Sequence, residues 1–176
     1  ADGARQAIES TMTALDLGHL DLYLVHAPWP WTDIGRDCRE GNRTVWKVLE
    51  GLYGSGRCRA IGVSNFDAAD LASLRETWEV VPLVNQIKVY VGHAQDALKR
   101  HCRQNGILVE GYSPLATGAL VEHAKLAAIA RKHGVTVPRV CIRYVLQRGA
   151  LPLPKSTHPE YIRQNADLDF ELDADD

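Results

Sequence analysis

Apolar residues in this chain fall into two rhythms. Short compact runs read as strands, and longer stretches with apolar positions three or four apart read as helices. Compact runs lie at 20–25, 59–63, 83–87, 107–112 and 150–154, the last weakened by Pro152 and Pro154. Helical spacing covers 4–15, and again 44–53, where Val45, Val48, Leu49 and Leu52 make one stripe. Asp67 is placed to cap a helix reaching about residue 76. Further helical stretches cover 94–104, with Gly106 as its stop, then 120–133 and 137–148, and a last helix opens near His158 and Pro159.

Strand–helix–strand units of this length demand a parallel sheet with right-handed crossovers. The runs are apolar on both faces, as suits a sheet covered by helices. Two architectures satisfy that pattern: a doubly wound open sheet, or part of a closed barrel. No Gly-x-Gly-x-x-Gly follows any strand, so the Rossmann signature is absent. Neither an internal repeat nor a shift in composition marks a second domain, and residues 1–176 read as a single domain.

Composition narrows the picture. The chain has 176 residues, 45% hydrophobic, enough for a sizeable core. A complete α/β barrel typically runs to about 250 residues. Net charge is -2 and the basic residues are scattered, which excludes nucleic acid as a partner. No apolar run approaches the roughly 20 residues that span a bilayer, and no leader opens the chain, so a cytoplasmic, membrane-free setting is expected. Cys38, Cys58, Cys102 and Cys141 are far apart and form no CxxC pair. They are expected to be reduced thiols rather than metal ligands.

Chemistry in parallel α/β folds collects where the strands end. Here the first strand runs into His26 and then Trp29 and Trp31; the second ends at Ser64-Asn65; the third contains Asn85-Gln86. The fourth ends at Tyr112-Ser113-Pro114-Leu115, and the fifth runs into Lys155-Ser156-Thr157 and then Arg163-Gln164-Asn165. Each group has an ordinary structural reading: a satisfied histidine, a helix-capping turn, amides bonded to a neighbouring backbone, tryptophans that merely pack. Taken together they suit a dinucleotide. Asn and Gln amides offer both donor and acceptor to a carboxamide. Tyr112 offers a flat aromatic face. Lys155, the Ser156 and Thr157 hydroxyls, a helix N-terminus and Arg163 suit a phosphate monoester, which favours NADP over NAD.

The order and spacing of Leu20-Asp21-Leu22-Tyr23-Leu24-Val25-His26, Gly62-Val63-Ser64-Asn65-Phe66, Val84-Asn85-Gln86, Gly111-Tyr112-Ser113-Pro114-Leu115 and Pro154-Lys155-Ser156-Thr157 resemble the aldo-keto reductases over essentially the whole chain, nearest the bacterial diketogluconate-reductase type. The resemblance implies a (β/α)8 TIM barrel, here a partial barrel of about five parallel strands, the fourth to eighth units. It implies NADPH-dependent reduction of an aldehyde or ketone, with His26 as the catalytic histidine that orients the carbonyl. Ser64, Asn65 and Gln86 would hold the nicotinamide carboxamide, and Tyr112 would stack on the ring. Ser113 and Leu115 would lie along the pyrophosphate. Lys155, Ser156, Thr157 and Arg163 would bind the 2′-phosphate, with Gln164 and Asn165 near adenine.

Departures touch the substrate side. Of the family's Asp, Tyr, Lys and His tetrad, only the histidine is present, and the other three belong to earlier units, so the chain reads as truncated and inactive alone. Lys88 stands where many relatives carry an acid, and Tyr90-Val91 where many carry His-Pro. Ala27 follows the histidine where tryptophan is common, leaving Trp29 or Trp31 to line the substrate pocket. The expected partner is a small-molecule carbonyl compound, and a complete barrel would be monomeric. The competing readings are a non-catalytic NADP-binding module and an inactive truncated reductase.

Overall fold

A computed structural model describes residues 1–176. In chain order the elements are α1 (Asp2–Leu15), β1 (Tyr23–Val25), α2 (Arg39–Gly54), β2 (Ile61–Ser64), α3 (Ala68–Arg75), β3 (Val84–Lys88), α4 (Asp96–Gln104), β4 (Leu108–Tyr112), α5 (Ala124–Lys132), α6 (Val137–Gln147), β5 (Leu151–Leu153) and α7 (Pro159–Ala166), with a 3-10 turn at Ala116–Gly118. The five parallel strands form one sheet in the order β1-β2-β3-β4-β5, the α/β arrangement expected from the sequence.

Local chemistry explains the boundaries. Asp67 caps α3 by accepting from the Asp70 amide at 2.8 Å, while the Asp70 carboxylate accepts from the Asp67 amide, a reciprocal capping box. Pro138 in the first turn starts α6 where a missing amide proton costs nothing. α2 begins at Arg39 rather than at 44, because its first turn is polar and Cys38 gives no side-chain cap to announce it. α5 begins at Ala124 rather than 120: Thr117 and Gly118 have positive φ and turn the chain before the helix can start. The first strand is shorter than its apolar run, although Leu20 still bridges Cys58.

The chain clusters into two compact units. The first comprises 1–85 and 101–108, the second 86–100 and 109–176. In the first, Trp46, Leu49, Ile61, Val63, Phe66, Leu71 and Leu74 are buried, each such side chain contributing about 1.5–3 kcal/mol. The Trp46 indole donates to the Val80 carbonyl at 3.1 Å, so its one polar atom is satisfied. Gly62 allows β2 to close on its neighbours, since a Cβ there would sit 2.7 Å from both Leu24 Cδ2 and the Val84 carbonyl oxygen. In the second unit Val109, Val140, Cys141, Ile142, Val145 and Ala150 are buried. Gly111 plays the same part as Gly62, because a Cβ would lie 2.8 Å from Val145 Cγ1.

The expectation of strands apolar and covered on both faces holds for β2, which is buried throughout. It fails in β4 and β5, which alternate. Their register sets Glu110 opposite Leu151 and Tyr112 opposite Leu153. Leu108, two residues before Glu110, shares that face, and Leu108, Leu151 and Leu153 are exposed. The other face, with Val109 and Gly111, is buried against helices.

All four cysteines are free; Cys38 is half-buried and the others are buried.

Candidate functional site

In the first unit β1 and β2 run parallel, so His26 and Ser64-Asn65 leave the sheet at the same edge. They are tied there. Asn65, at φ 63°, donates from Nδ2 to the His26 carbonyl oxygen at 3.0 Å and to Ser64 Oγ at 3.0 Å. Asparagine tolerates this left-handed backbone better than most residues. Ser64 is buried, whereas His26 is exposed. The His26 ring meets Trp31 edge-on at 5.4 Å, and Trp31 meets Trp29 edge-on at 4.9 Å. Asn42 donates to the Pro28 carbonyl at 2.8 Å and pins this aromatic loop to the start of α2. An imidazole with apolar rings beside it suits a small carbonyl compound, which needs a polar contact at oxygen and apolar walls elsewhere.

Asn85 and Gln86 point to opposite faces, as successive strand residues must. Asn85 is fully buried, its Nδ2 donating to the Phe66 carbonyl at 2.9 Å, and its Oδ1 has no partner. The ordinary reading, an amide satisfying nearby backbone, therefore describes Asn85. Gln86 lies on the face shared with Lys88 and donates from Nε2 to Glu110 Oε2 at 2.8 Å. Lys88 reaches over the Tyr90 ring, 5.8 Å from its centre.

In the second unit β4 and β5 also run parallel, so Tyr112-Ser113 and Lys155 emerge at one edge. Burial pushes the Tyr112 phenol above its ordinary pKa, which keeps the ring neutral across the working pH range. Ser113 has φ 52° and Ala116 φ 49°, a tight turn held by Ala116 donating its amide to the Ser113 carbonyl at 2.9 Å. The Leu115 side chain packs on the cluster of Leu126, Ala130, Val140 and Cys141.

Lys155 and Thr157 are exposed and Ser156 is half-buried, accepting the His158 amide at 3.1 Å just before α7. Arg163 is exposed on α7, followed by Gln164 and Asn165, both half-buried, with Gln164 donating to Glu160 at 3.3 Å. The two cations, the hydroxyls and the helix start lie close along the chain, the donor set an anion needs.

Glu110 escaped the sequence reading, hidden inside a run taken as apolar. Period-two alternation would have put it on the face of Tyr112. A cavity of about 820 Å3 between α2 and α3 contains none of the expected site residues. Of its arginines, Arg39 is paired with Asp37 and Asp70, and Arg43 with Glu76. No group of His, Cys, Asp and Glu is arranged to hold a metal, and no helix is long and apolar enough to cross a membrane.

Comparison with known proteins adds to this geometry. The model of the Aldo/keto reductase family matches residues 1–176. The glyoxal reductase of Bacillus subtilis (strain 168) is 40% identical over 171 residues, 97% of this chain and 59% of that protein. Among solved structures, MGS-M4, an aldo-keto reductase from a Medee basin deep-sea metagenome library, matches with a TM-score of 0.89 at 33% identity, over 99% of this chain and 62% of that one. A Bombyx mori aldo-keto reductase in complex with NADP matches with a TM-score of 0.82 at 33% identity, over 98% of this chain and 60% of that one. The chain thus spans about three-fifths of the length of these relatives. Of the two architectures the sequence allowed, the likeness selects the barrel: five parallel strands matching part of a (β/α)8 barrel.

Proposed function

Because this chain belongs to the aldo/keto reductase family, we propose that it supplies the cofactor-binding part and the histidine of an NADPH-dependent carbonyl reductase. The observation that carries this reading is the Asn65–His26 hydrogen bond. It joins the residue expected at the carbonyl to a residue expected at the carboxamide, which is the adjacency that hydride transfer requires.

Residues 1–176 are a single partial barrel domain in this proposal. Ser64, Asn65 and Gln86 hold the carboxamide, and Tyr112 lies under the ring. Ser113 and Leu115 follow the pyrophosphate. Lys155, Ser156, Thr157 and Arg163 take the 2′-phosphate, with Gln164 and Asn165 beside adenine. The donor set fits, since exposed Lys155 and Arg163 flank the start of α7 and the amides of Asn65 and Gln86 match an amide. NADPH supplies the hydride when bound. His26 orients the substrate carbonyl and donates a hydrogen bond where negative charge grows on oxygen. Trp29 and Trp31 form the apolar wall that keeps water from the carbonyl.

Within residues 1–176, only His26 occupies a tetrad position, so these residues by themselves are expected to bind NADPH without turning it over. A small-molecule carbonyl partner, a monomeric barrel and a cytoplasmic setting complete the proposal, the last in keeping with four free cysteines.

Fluorescence titration with NADPH and NADH tests the binding part, and NADPH oxidation with glyoxal, the substrate named for the B. subtilis relative, tests the reaction. Lys155→Met is expected to weaken NADPH about tenfold through loss of one charge-assisted contact, and to leave NADH unchanged. Equal affinity of the native chain for both dinucleotides would remove the phosphate assignment. Tight NADPH binding by a complete protein carrying these residues, with no turnover of any carbonyl, would favour the binding-module reading instead.

A further inference from the structure

α7 is held by polar side chains of a neighbouring helix rather than by an apolar face of its own. It has eight residues, and isolated helices below about 12–15 residues are marginal in water. It buries none of its side chains, leaves Tyr161 and Ile162 exposed, and has no side-chain cap at its start. Its neighbour is α6, where Arg139, Arg143 and Gln147 stand four apart and so share one face. Arg139 Nε donates to the Asp167 carbonyl at 2.6 Å, and its Nη2 pairs with the Asp167 carboxylate at 3.0 Å. Arg143 Nη1 donates to the Leu168 carbonyl at 3.3 Å. Gln147 accepts the Leu172 amide at 2.8 Å and donates to the Leu172 carbonyl at 3.0 Å.

We propose that Arg139 is a positioning residue, fixing the end of α7 that carries the contacts expected for the 2′-phosphate and adenine. The inference rests on Arg163, Gln164 and Asn165 making those contacts. Asp167 closes α7 only four residues past Arg163 and two past Asn165, so whatever fixes Asp167 fixes the last turn. The carbonyls of a last turn have no partner inside their own helix, and a cation there also complements the helix dipole. A planar guanidinium can take a carbonyl and a carboxylate of one residue together, which a lysine ammonium on its flexible stem does not match. The Arg139 guanidinium also lies over the Phe170 ring, 5.5 Å from its centre. An exposed ion pair contributes little. Arg139 is half-buried and grips main chain as well as side chain, so it sets the backbone itself. A helix already in place presents its contacts to a dinucleotide without first having to be ordered, and that ordering would otherwise weaken binding.

The test uses a complete protein carrying these residues. The variants are Arg139→Met, Asp167→Ala, Arg163→Met, and Arg139→Met combined with Arg163→Met. Hydrogen exchange followed by mass spectrometry reads the amides of 159–166 without ligand, and fluorescence titration reads NADPH and NADH. Circular dichroism checks folding. Asp167→Ala trims an exposed side chain and carries the test if Arg139→Met does not fold.

Arg139→Met is expected to speed exchange in 159–166 about tenfold and leave α5 unchanged. It should weaken NADPH about tenfold and NADH less, narrowing a preference that a merely structural role would not move. Asp167→Ala should act in the same direction and less. In the Arg163→Met background, Arg139→Met should leave the remaining preference where it is, because a residue acting through another contributes nothing once that other is gone. Three outcomes overturn the proposal while leaving the cofactor reading intact: exchange in 159–166 unchanged, NADPH affinity kept although exchange is faster, or losses of preference at 139 and 163 that simply multiply. A native protein that binds no NADPH overturns the cofactor reading, and this role with it, whatever the exchange shows.

Discussion

At the scale of single residues, what a side chain can do here is set by what already holds it. The His26 ring is free of the sheet's bonding because Asn65 grips the main-chain carbonyl rather than the imidazole. His26→Ala therefore keeps the Asn65 contact and removes the ring, with its edge-on contact to Trp31 and the hydrogen bond it is proposed to offer the substrate. In a complete reductase carrying these residues, steady-state assay should show kcat/KM for glyoxal reduced about a hundredfold. Titration should show NADPH affinity unchanged, and a parallel loss of NADPH binding would place His26 in the cofactor site instead. The cysteines provide a second case. Burial is the main cause that raises the Cys141 thiol to about 11, and burial likewise raises Cys58 and Cys102. A thiol whose folded pKa is raised stays protonated well above neutrality, and the stability tied to that protonation is lost only as pH rises toward about 11. Alkylation by iodoacetamide at pH 8 should modify half-buried Cys38 and spare the other three until denaturant is added, as peptide mass mapping would reveal.

Elements show how far the sequence could be read. All five strands were legible as compact apolar runs, although β4 and β5 keep one face exposed. Their polar exceptions were harder to sort. Asn85 and Gln86 are neighbours and both are amides, yet one satisfies the Phe66 carbonyl in the helix-side packing and the other meets Glu110 on the opposite face. Alternation says only that the two differ, and the fold says which is which. Helix starts were legible where a side chain caps them, as Asp67 does for α3, and illegible where none does, as at Cys38 before α2. Gly62 and Gly111 answer to packing, each lying where a Cβ would collide with a neighbour. Gly111→Ala should thus cost about 1–3 kcal/mol by overpacking against Val145, seen as a lower urea midpoint with an unchanged slope. Pairing it with Val145→Ala should recover part of that loss, and no recovery would show that the strain lies in the backbone.

At the scale of the whole molecule, the sheet order leaves β1 and β5 as its edges, and one face of β4 and β5 carries exposed Leu108, Leu151 and Leu153. Strand edges with bare donors and acceptors pair with other strands, and exposed leucines strengthen that tendency. A polypeptide of residues 1–176 alone is therefore expected to self-associate in sedimentation velocity at micromolar concentration. Leu151→Lys, which places a charge on the most open part of β5, should shift it toward monomer. The same substitution discriminates what covers that face in the full-length relatives' architecture. In a closed barrel, strand residues facing the interior are packed in layers of apolar side chains, and a lysine buried there without a partner costs several kcal/mol. Leu151→Lys should then lower the melting temperature of a complete reductase carrying these residues, even as it improves the solubility of the isolated 176. Loss of association in the isolated polypeptide with no destabilisation of the complete protein would mean that β5 turns this face to solvent in both, and the barrel placement of β5 would have to be abandoned.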